Sequence, residues 1–318
     1  MTMTRRTFLA SGAALGAAWM TGLLSGYATA SPRVATLAPG VTRVDLGAVK
    51  VTMLNDGFFS RPLDAAFVKN VALADVQAAL AAAGLPTDRI EVPFNPLVVD
   101  VGSQRVLFDA GMGEFGPPTA GKLIENLAKA GISPDSVTAV VVSHFHGDHI
   151  NGLRNKAGQL VFPNAKIFVP EPEWNWWMDD ARMAAAPEAM KGTFQAARRV
   201  FGPIAASVVK FAPGAEVVPG VHSLPAFGHT PGHTVFTVEG GTRRLMFWAD
   251  TTNVAALFVR NPDWAVMFDM DAEAARQTRR RLAEMVIQDN LLLAGYHLPG
   301  AAIGNLVRRG DGYDFIPL

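Results

Sequence analysis

Three histidines and one aspartate occur within six consecutive residues of this chain, directly after an apolar stretch. Ser143–His149 reads Ser-His-Phe-His-Gly-Asp-His and follows Val137–Val142, a run rich in β-branched residues that is typical of a strand covered on both faces. Imidazole and carboxylate groups are ligands of zinc and similar divalent ions. The segment therefore predicts a metal-binding loop. A polar surface loop is the weaker interpretation, because the whole chain has only 7 histidines.

Further ligand-type side chains follow other apolar stretches. His229 lies in Gly-His-Thr-Pro-Gly-His, after the predicted strand Val217–Leu224, and Asp250 and His297 each end an apolar run. A single aspartate at a strand end often caps a turn, and a single histidine is usually structural. Together, however, they place nitrogen and oxygen ligands at several separate strand ends, which favours one common site.

Composition limits the chemistry that the chain can perform. Its 318 residues include no cysteine, which excludes a disulfide framework, thiolate metal ligands and a cysteine nucleophile. The 28 Lys and Arg balance the 28 Asp and Glu, which argues against nucleic acid as a partner. No Gly-x-Ser-x-Gly segment is present to supply a serine nucleophile. Any metal here would be held by imidazole and carboxylate.

Residues 1–30 are predicted to be a twin-arginine signal peptide. Thr4–Leu9 reads Thr-Arg-Arg-Thr-Phe-Leu, an apolar Ala/Gly/Leu run covers Ala10–Leu24, and Ala28–Ala30 supplies a small-x-small cleavage pattern before Ser31. A membrane anchor is the competing interpretation, but the run is short and rich in Gly and Ala. We therefore expect a periplasmic or secreted protein without a stable membrane anchor after cleavage.

The remaining chain, residues 31–318, is predicted to form one α/β domain after a loose lead-in at Ser31–Gly40. Other strands are predicted at Val49–Leu54, Leu97–Val101, Arg105–Asp109, Ile167–Val169, Thr234–Val238, Leu245–Trp248 and Leu291–Ala294. Helices are predicted at Thr119–Ala130, at Glu173–Arg199 with a break near Pro187, and at Ala272–Ile287. The alternation predicts sheets covered by helices, but it fits a doubly wound sheet and a two-sheet sandwich equally.

The His-x-His-x-Asp-His motif, with its spacing to the later ligands, resembles the metallo-β-lactamase superfamily over nearly all of residues 31–318. The resemblance implies an αββα four-layer sandwich with two divalent metal ions, zinc first among the candidates, at one edge of the sheets. It also implies the ligand assignment, with His144, His146 and His229 on the first ion, Asp148, His149 and His297 on the second, and Asp250 bridging both.

Asp250 and His146 indicate which branches of this superfamily the chain resembles. The true β-lactamases lack a bridging aspartate at the position of Asp250, so the resemblance favours the lactonase, glyoxalase II and phosphotriesterase branches. In the flavodiiron oxygen reductases an acid replaces the second histidine of the motif, and His146 argues against that branch.

Within the superfamily the chain resembles methyl parathion hydrolase and related exported lactonases or arylesterases. The similar segments are Gly116–Leu123, Gly228–Thr234 and Gly312–Pro317. Asp250–Asn253 and Arg260–Trp264 depart from methyl parathion hydrolase, and this departure argues against a phosphotriester substrate more than against the chemistry.

The resemblance predicts a hydrolase in which a hydroxide between the two ions attacks a lactone or aryl ester. Asp148 or Asp250 would pass the proton to the leaving group. Aryl phosphotriesters are the alternative substrates. A β-lactam hydrolase is disfavoured by Asp250, and a thioester hydrolase is disfavoured by the lack of an evident site for a charged thiol carrier. A binding or regulatory protein that keeps the metal site without turnover is the interpretation from a different class.

Other residues are predicted to support the site. Asp109 and His233 are candidates to orient the metal-binding groups, although Asp109 fits a plain turn carboxylate equally, and His222 is interpreted as structural. By resemblance, Phe115, Trp177 and Phe194, together with Trp174 and Trp176, would line a pocket for an apolar or aromatic small molecule. Aromatic residues in such numbers also occur in ordinary cores. A homodimer is compatible with the resemblance.

Overall fold

Successive side chains of the central strands point to opposite faces of one sheet, and each face is covered by its own apolar layer. In a computed structural model that describes residues 32–240 and 243–318, Val98 pairs with Leu107 and Val99 with Val106 in adjacent antiparallel strands. Val99 and Val106 belong to the core between two sheets, whereas Val98 and Leu107 belong to a second core under helices. Period-two alternation in a strand with two covered faces explains this division.

The strands and helices have the following bounds. The strands are β1 Arg33–Ala38, β2 Val41–Asp45, β3 Val49–Leu54, β4 Gly57–Pro62, β5 Arg89–Phe94, β6 Leu97–Val101, β7 Gln104–Phe108, β8 Ala139–Val141, β9 Lys166–Pro170, β10 Val209–Phe211, β11 Glu216–Val218, β12 Val221–Pro225, β13 Thr234–Val238, β14 Leu245–Phe247, β15 Leu292–Ala294, β16 Ile303–Arg309 and β17 Gly312–Pro317. The α-helices are α1 Leu73–Ala82, α2 Leu123–Lys129, α3 Gly147–Ile150, α4 Glu171–Trp177, α5 Asp180–Ala185, α6 Glu188–Phe201 and α7 Ala272–Gln288.

The strands form two large sheets and one hairpin. The first sheet has eight strands in the order β1-β2-β3-β6-β7-β8-β9-β10, the second has seven in the order β11 to β17, and β4 pairs with β5. Helices α2 and α6 pack on the outer face of the first sheet, and α7 packs against the second through Leu282 and Val286. Two facing sheets with helices outside them form the αββα sandwich that the resemblance predicts.

A third apolar cluster lies beside the two sheets. It joins α1 and the β4–β5 hairpin to a π-helical turn at Ala255–Val259, through buried residues such as Leu80, Val92 and Leu257. None of these elements is predicted by the sequence patterns described above. The hairpin matters for function because it supplies one wall of the cavity described below.

Three local predictions are wrong. The lead-in predicted as loose contains β1, which pairs antiparallel with β2 at the sheet edge. The predicted strand Val217–Leu224 is a hairpin of β11 and β12, because Gly220 adopts φ +83° and donates its N–H to Glu216 at 2.8 Å. The predicted helix Glu173–Arg199 does break near Pro187, which caps α6, but a second break separates α4 from α5. Helix α5 begins where the Asp179 side chain accepts the N–H of Arg182 at 2.9 Å.

The predicted signal peptide, residues 1–30, lies outside the described residues and stays a prediction. Over residues 32–240 and 243–318, no helix combines the length and the apolar character needed to cross a membrane.

Candidate metal centre

The ligand-type residues are brought together because parallel strands end at the same edge of each sheet. In the first sheet β7, β8 and β9 run parallel, and the loop with His144 follows β8. In the second sheet β14 and β15 run parallel, and Asp250 and His297 follow them. Where the two sheets meet, the Thr234 N–H donates to the Ser143 carbonyl at 3.1 Å. All seven predicted ligands therefore lie at one edge of the sandwich.

The first group of ligands is compact. One candidate ligand atom from each of His144, His146, His229 and Asp250 lies within 4.8 Å of the others. His146 Nδ1 is 3.0 Å from both His144 Nε2 and His229 Nε2. Asp250 Oδ2 is 3.2 Å from His229 Nε2. Three imidazoles and one carboxylate oxygen thus face one small volume, as in tetrahedral zinc sites.

The second group lies on the other side of Asp250. Asp148, His149 and His297 also present ligand atoms within 4.8 Å of one another. Asp250 Oδ1 is 3.0 Å from His149 Nε2 and 3.0 Å from His297 Nε2. Asp250 Oδ2, which faces His229, also lies 3.0 Å from His297 Nε2, so the Asp250 carboxylate contacts both groups, as a bridging carboxylate must.

Two buried atoms indicate that this cluster is built for cations. His149 Nε2 and Asp250 Oδ1 lie 3.0 Å apart but not in hydrogen-bonding geometry, and among the described residues neither buried atom has a hydrogen-bond partner. Buried polar atoms nearly always have a partner, so these atoms need one that protein groups do not supply. Burial, together with the neighbouring imidazoles, lowers the pKa of His146 to about 3 and that of His144 well below its usual value. Neutral imidazole is the form that binds metal. The two groups fit two divalent ions.

Asp109 and His233 hold neighbouring groups in place. Asp109 accepts the N–H of Ser143 at 2.8 Å and its hydroxyl at 2.7 Å, and its Oδ2 lies 2.7 Å from His149 Nδ1. His233 donates from Nδ1 to the Ala226 carbonyl at 2.8 Å and accepts the N–H of Asp250 at Nε2 at 3.1 Å. Asp109 thus orients a predicted ligand ring, and His233 fixes the backbone of Asp250.

His222 lies apart from the site. Its side chain on β12 is 42% exposed and lies 4.0 Å from the Glu216 carboxylate, in agreement with the structural interpretation.

The sequence patterns miss a buried ion pair behind His229. Asp269 Oδ1 lies 3.0 Å from His229 Nδ1, and Asp269 Oδ2 accepts from Arg279 Nη2 at 3.4 Å. Arg279 is 2% exposed and also donates from Nε to the Thr251 carbonyl at 2.8 Å, next to Asp250. A charged residue among the apolar positions of α7 was the available signal, because buried arginine is nearly always paired.

A cavity of about 380 Å³ opens over the cluster. His146, Asp148, His229, Asp250 and His297 contribute its polar side. Its apolar walls are formed by side chains from the β4–β5 hairpin, the loop after β7 and the loop before α7, namely Phe59, Val92, Phe94, Met112 and Phe268. An apolar pocket with convergent polar groups is the usual form of a small-molecule site.

The structure places the three predicted pocket residues outside the lining of this cavity. Trp177 and Phe194 are each 1% exposed and pack edge to face, with ring centroids 4.7 Å apart, in the core under the first sheet. The Arg199 guanidinium lies over the Phe115 ring, with Cζ 3.7 Å from the ring centroid. Phe115 does not line the cavity. The apolar faces of α4 and α6 pack against the first sheet and do not face the cavity. The aromatic walls of the cavity are formed instead by Phe59, Phe94 and Phe268.

Comparison with protein families matches residues 92–297 to the metallo-β-lactamase superfamily. The match covers more than half of the chain and includes all seven residues of the cluster. The chain belongs to the metallo-β-lactamase superfamily. A curated relative, metallo-β-lactamase domain-containing protein 1 of Mus musculus, is 39% identical over 75 residues. That match covers 22% of this chain, and the chain spans about a quarter (26%) of the length of that relative.

Solved structures of the superfamily superpose on most of the chain. AidC, a dizinc quorum-quenching lactonase solved with a bound product, has 28% identity and a TM-score of 0.82, covering 88% of this chain and 97% of AidC. AbOPH, a hydrolase of the β-lactamase superfamily, has 24% identity and a TM-score of 0.81 with the same coverage. A probable metal-dependent hydrolase from Staphylococcus aureus has 24% identity and a TM-score of 0.67, covering 80% and 90%. The last two show the fold alone. Family and cluster together identify a metal-dependent hydrolase.

Proposed function

We propose that the chain hydrolyses lactones or aryl esters with two divalent metal ions, zinc first among the candidates. The observation that carries the proposal is the position of Asp250, whose carboxylate lies between the two ligand groups and contacts both, beside an apolar cavity. The similarity to AidC, described as a dizinc lactonase, supports the same reaction class. The similarity of three sequence segments to methyl parathion hydrolase and related lactonases agrees with it.

The residues of the site have separate roles in the proposed hydrolysis. When bound, two divalent ions supply Lewis acidity and lower the pKa of a coordinated water. The imidazoles of His144, His149, His229 and His297 are buried, and His146 is half-buried. Asp109 holds His149 and Asp269 holds His229, so these rings need little reorganisation. Asp148 is 21% exposed, and its Oδ2 lies 3.4 Å from His149 Nε2. It therefore reaches both the cluster and the cavity, and we propose Asp148 Oδ2 as the position that passes a proton to the leaving group.

The walls of the cavity set the class of substrate. Phe59, Phe94 and Phe268 offer apolar surface, and none of the described residues that line the cavity is Lys or Arg. A neutral substrate with an apolar or aromatic portion suits such walls, since a charged group would be desolvated without a partner. Lactones and aryl esters are neutral, whereas β-lactam antibiotics and thiol carriers bring charged groups. The cavity therefore disfavours the last two.

Aryl phosphotriesters are the second candidate substrates. They are neutral and aromatic, so the three phenylalanine walls would accept them as well. Both candidates require attack on a polarised carbonyl or phosphoryl centre, so the same ligand groups serve either.

Turnover of a substrate panel tests the proposal. Purified protein loaded with zinc is assayed with lactones, aryl esters, aryl phosphotriesters and β-lactams, before and after chelation and reloading. We expect lactones or aryl esters to give the highest kcat/KM and chelation to abolish it. Asp250→Asn should lower kcat/KM by more than about 100-fold, the upper end of the loss seen when a residue that merely orients a ligand is changed.

Asp289→Asn is the matched control, since Asp289 pairs with Arg244 on the surface at 3.2 Å. It should keep full turnover. Turnover that survives chelation, or an Asp250→Asn variant that keeps full activity and two ions, would show that the proposed chemistry is wrong.

A further inference from the structure

Glu173 is a fully buried carboxylate that contacts both ligand loops without contacting a ligand. Its exposed fraction is 0%, and it lies in the first turn of α4. Its Oε1 accepts the N–H of Phe145 at 3.3 Å and the hydroxyl of Thr230 in a short hydrogen bond. Its Oε2 accepts the indole N–H of Trp177, on the same helix, at 2.9 Å. One carboxylate thus joins α4 to two separate loops.

The two loop residues held by Glu173 flank all three histidines of the first group. Phe145 lies between His144 and His146, and Thr230 directly follows His229. Asp148, His149 and His297 are each three or more residues away from Phe145 and Thr230 along the chain. Its contacts therefore concern the first group and leave out the residues that belong to the second group alone.

Close backbone packing adds to the same junction. Gly232, in the loop that carries His229, lies so near α4 that an added Cβ would be 2.3 Å from the backbone nitrogen of Glu173. A side chain at this position would push the loop and the helix apart. The hydroxyl of Thr230 reaches Glu173 from this closely packed backbone.

Burying the Glu173 carboxylate costs folding free energy, so its retention needs a reason. Burial raises the pKa of its carboxyl to about 7, against the lowering effect of the bonds from Thr230, Phe145 and Trp177. Burying a carboxylate destabilises a fold unless hydrogen bonds compensate it. Here three donors converge on it, and two of them come from ligand loops.

We propose that Glu173 is a positioning residue for the first metal group, which fixes the loops of residues 143–149 and 228–233 so that His144, His146 and His229 converge on one ion. The inference rests on the two-ion site of the proposed function, but it does not depend on the substrate class.

Two substitutions test the inference at the level of metal binding. Glu173→Gln leaves a single acceptor oxygen for three donors, and Thr230→Val removes only the hydroxyl that reaches Glu173. We expect each to weaken zinc binding at the first position by about tenfold or more, the range seen when groups that orient ligands are changed. Glu171→Gln is the matched control, because Glu171 lies in the same turn of α4 but is exposed. It should change nothing.

Crystals of each protein equilibrated at limiting zinc give the occupancy of each position separately by anomalous scattering, and the unfolding temperature of the metal-free protein is measured alongside. Selective loss at the first position with an unchanged unfolding temperature supports the inference. If wild-type protein binds no ion, the proposed function itself fails. If wild-type protein binds two ions and both variants keep both, or lose both equally with a lowered unfolding temperature, the positioning role is wrong. Thr230→Val decides the matter if Glu173→Gln does not fold.

Discussion

At the residue scale, Asp250 connects the two halves of the site. Its Oδ2 lies 3.2 Å from His229 Nε2, its Oδ1 lies 3.0 Å from His149 Nε2, and its backbone N–H is held by His233 at 3.1 Å. Burial alone would raise the pKa of Asp250, but the surrounding histidines, His297 first, hold it well below its usual value. The residue is thus kept as a carboxylate, the form that two cations share.

Asp109→Asn tests whether the second group depends on its supporting carboxylate. Asp109 has φ +58°, a conformation that asparagine also tolerates, so the backbone need not change. The variant replaces the acceptor 2.7 Å from His149 Nδ1 by an amide that is a weaker acceptor. We expect the affinity of the second ion to fall by about 10–100-fold, measured by competition with a chelator.

The control for this variant is Asp100→Asn, on the neighbouring strand β6. Asp100 is 35% exposed and pairs with Arg105 at 2.6 Å, away from the cluster. Both zinc affinities should be unchanged there. Equal affinities in Asp109→Asn and wild-type protein would contradict the orienting role of Asp109.

The ligand-type residues could be predicted from the sequence, whereas the walls of the cavity could not. His144, Asp250 and His297 each follow an apolar strand, and a strand end fixes where such side chains meet. Phe59 and Phe268 follow no comparable pattern, because a cavity wall depends on how distant segments pack. Trp177 illustrates the difficulty, since the resemblance that assigned it to the pocket does not fix which face of α4 its side chain occupies.

At the element scale, the site depends on loops that pass very close to helices. Gly228 precedes His229 and has φ +126°, and an added Cβ would lie 2.2 Å from the backbone nitrogen of Ala275 in α7. Gly152, in the helical turn that follows α3, lies equally close to the loop after β7, because an added Cβ would be 1.9 Å from the Ala110 carbonyl oxygen. Only glycine fits such approaches, so these loops are fixed by helix contacts as well as by strand ends.

Gly228→Ala should destabilise the protein by more than about 2 kcal/mol, since it combines an unfavourable φ with a backbone clash. Denaturant unfolding of the metal-free protein measures this free energy. Gly214→Ala is the control, because Gly214 also has a positive φ, +84°, but no atom lies within 4 Å of an added Cβ. The control isolates the cost of φ, about 1 kcal/mol. Equal losses in the two variants would show that the approach to α7 is unimportant.

The elements that could be predicted are those buried on a regular pattern. Ala272–Ile287 was predicted and α7 covers Ala272–Gln288, and the apolar run before His144 contains β8. The exposed edge strand β1 has no buried residue and therefore no alternation to detect. The hairpin of β4 and β5 is joined through α1 and is stabilised by distant contacts with the π-helical turn, which no local pattern contains.

At the scale of the whole molecule, the active edge is where the two sheets meet. The first sheet contributes His144, His146, Asp148 and His149, and the second contributes His229, Asp250 and His297. The alternation of strands and helices did not distinguish a doubly wound sheet from this sandwich, because both bury the same strands. The family motif made the distinction, and the core between the sheets confirms it.

Because each proposed ion draws ligands from both sheets and the two ions share Asp250, the number and positions of bound ions test the two-ion site most directly. The protein is equilibrated with zinc and crystallised, and the bound ions are located by their anomalous scattering. The account predicts two peaks roughly 3.5–4 Å apart. One should contact His144, His146 and His229, the other Asp148, His149 and His297, and Asp250 should contact both. A single peak, or two peaks without Asp250 between them, would contradict it.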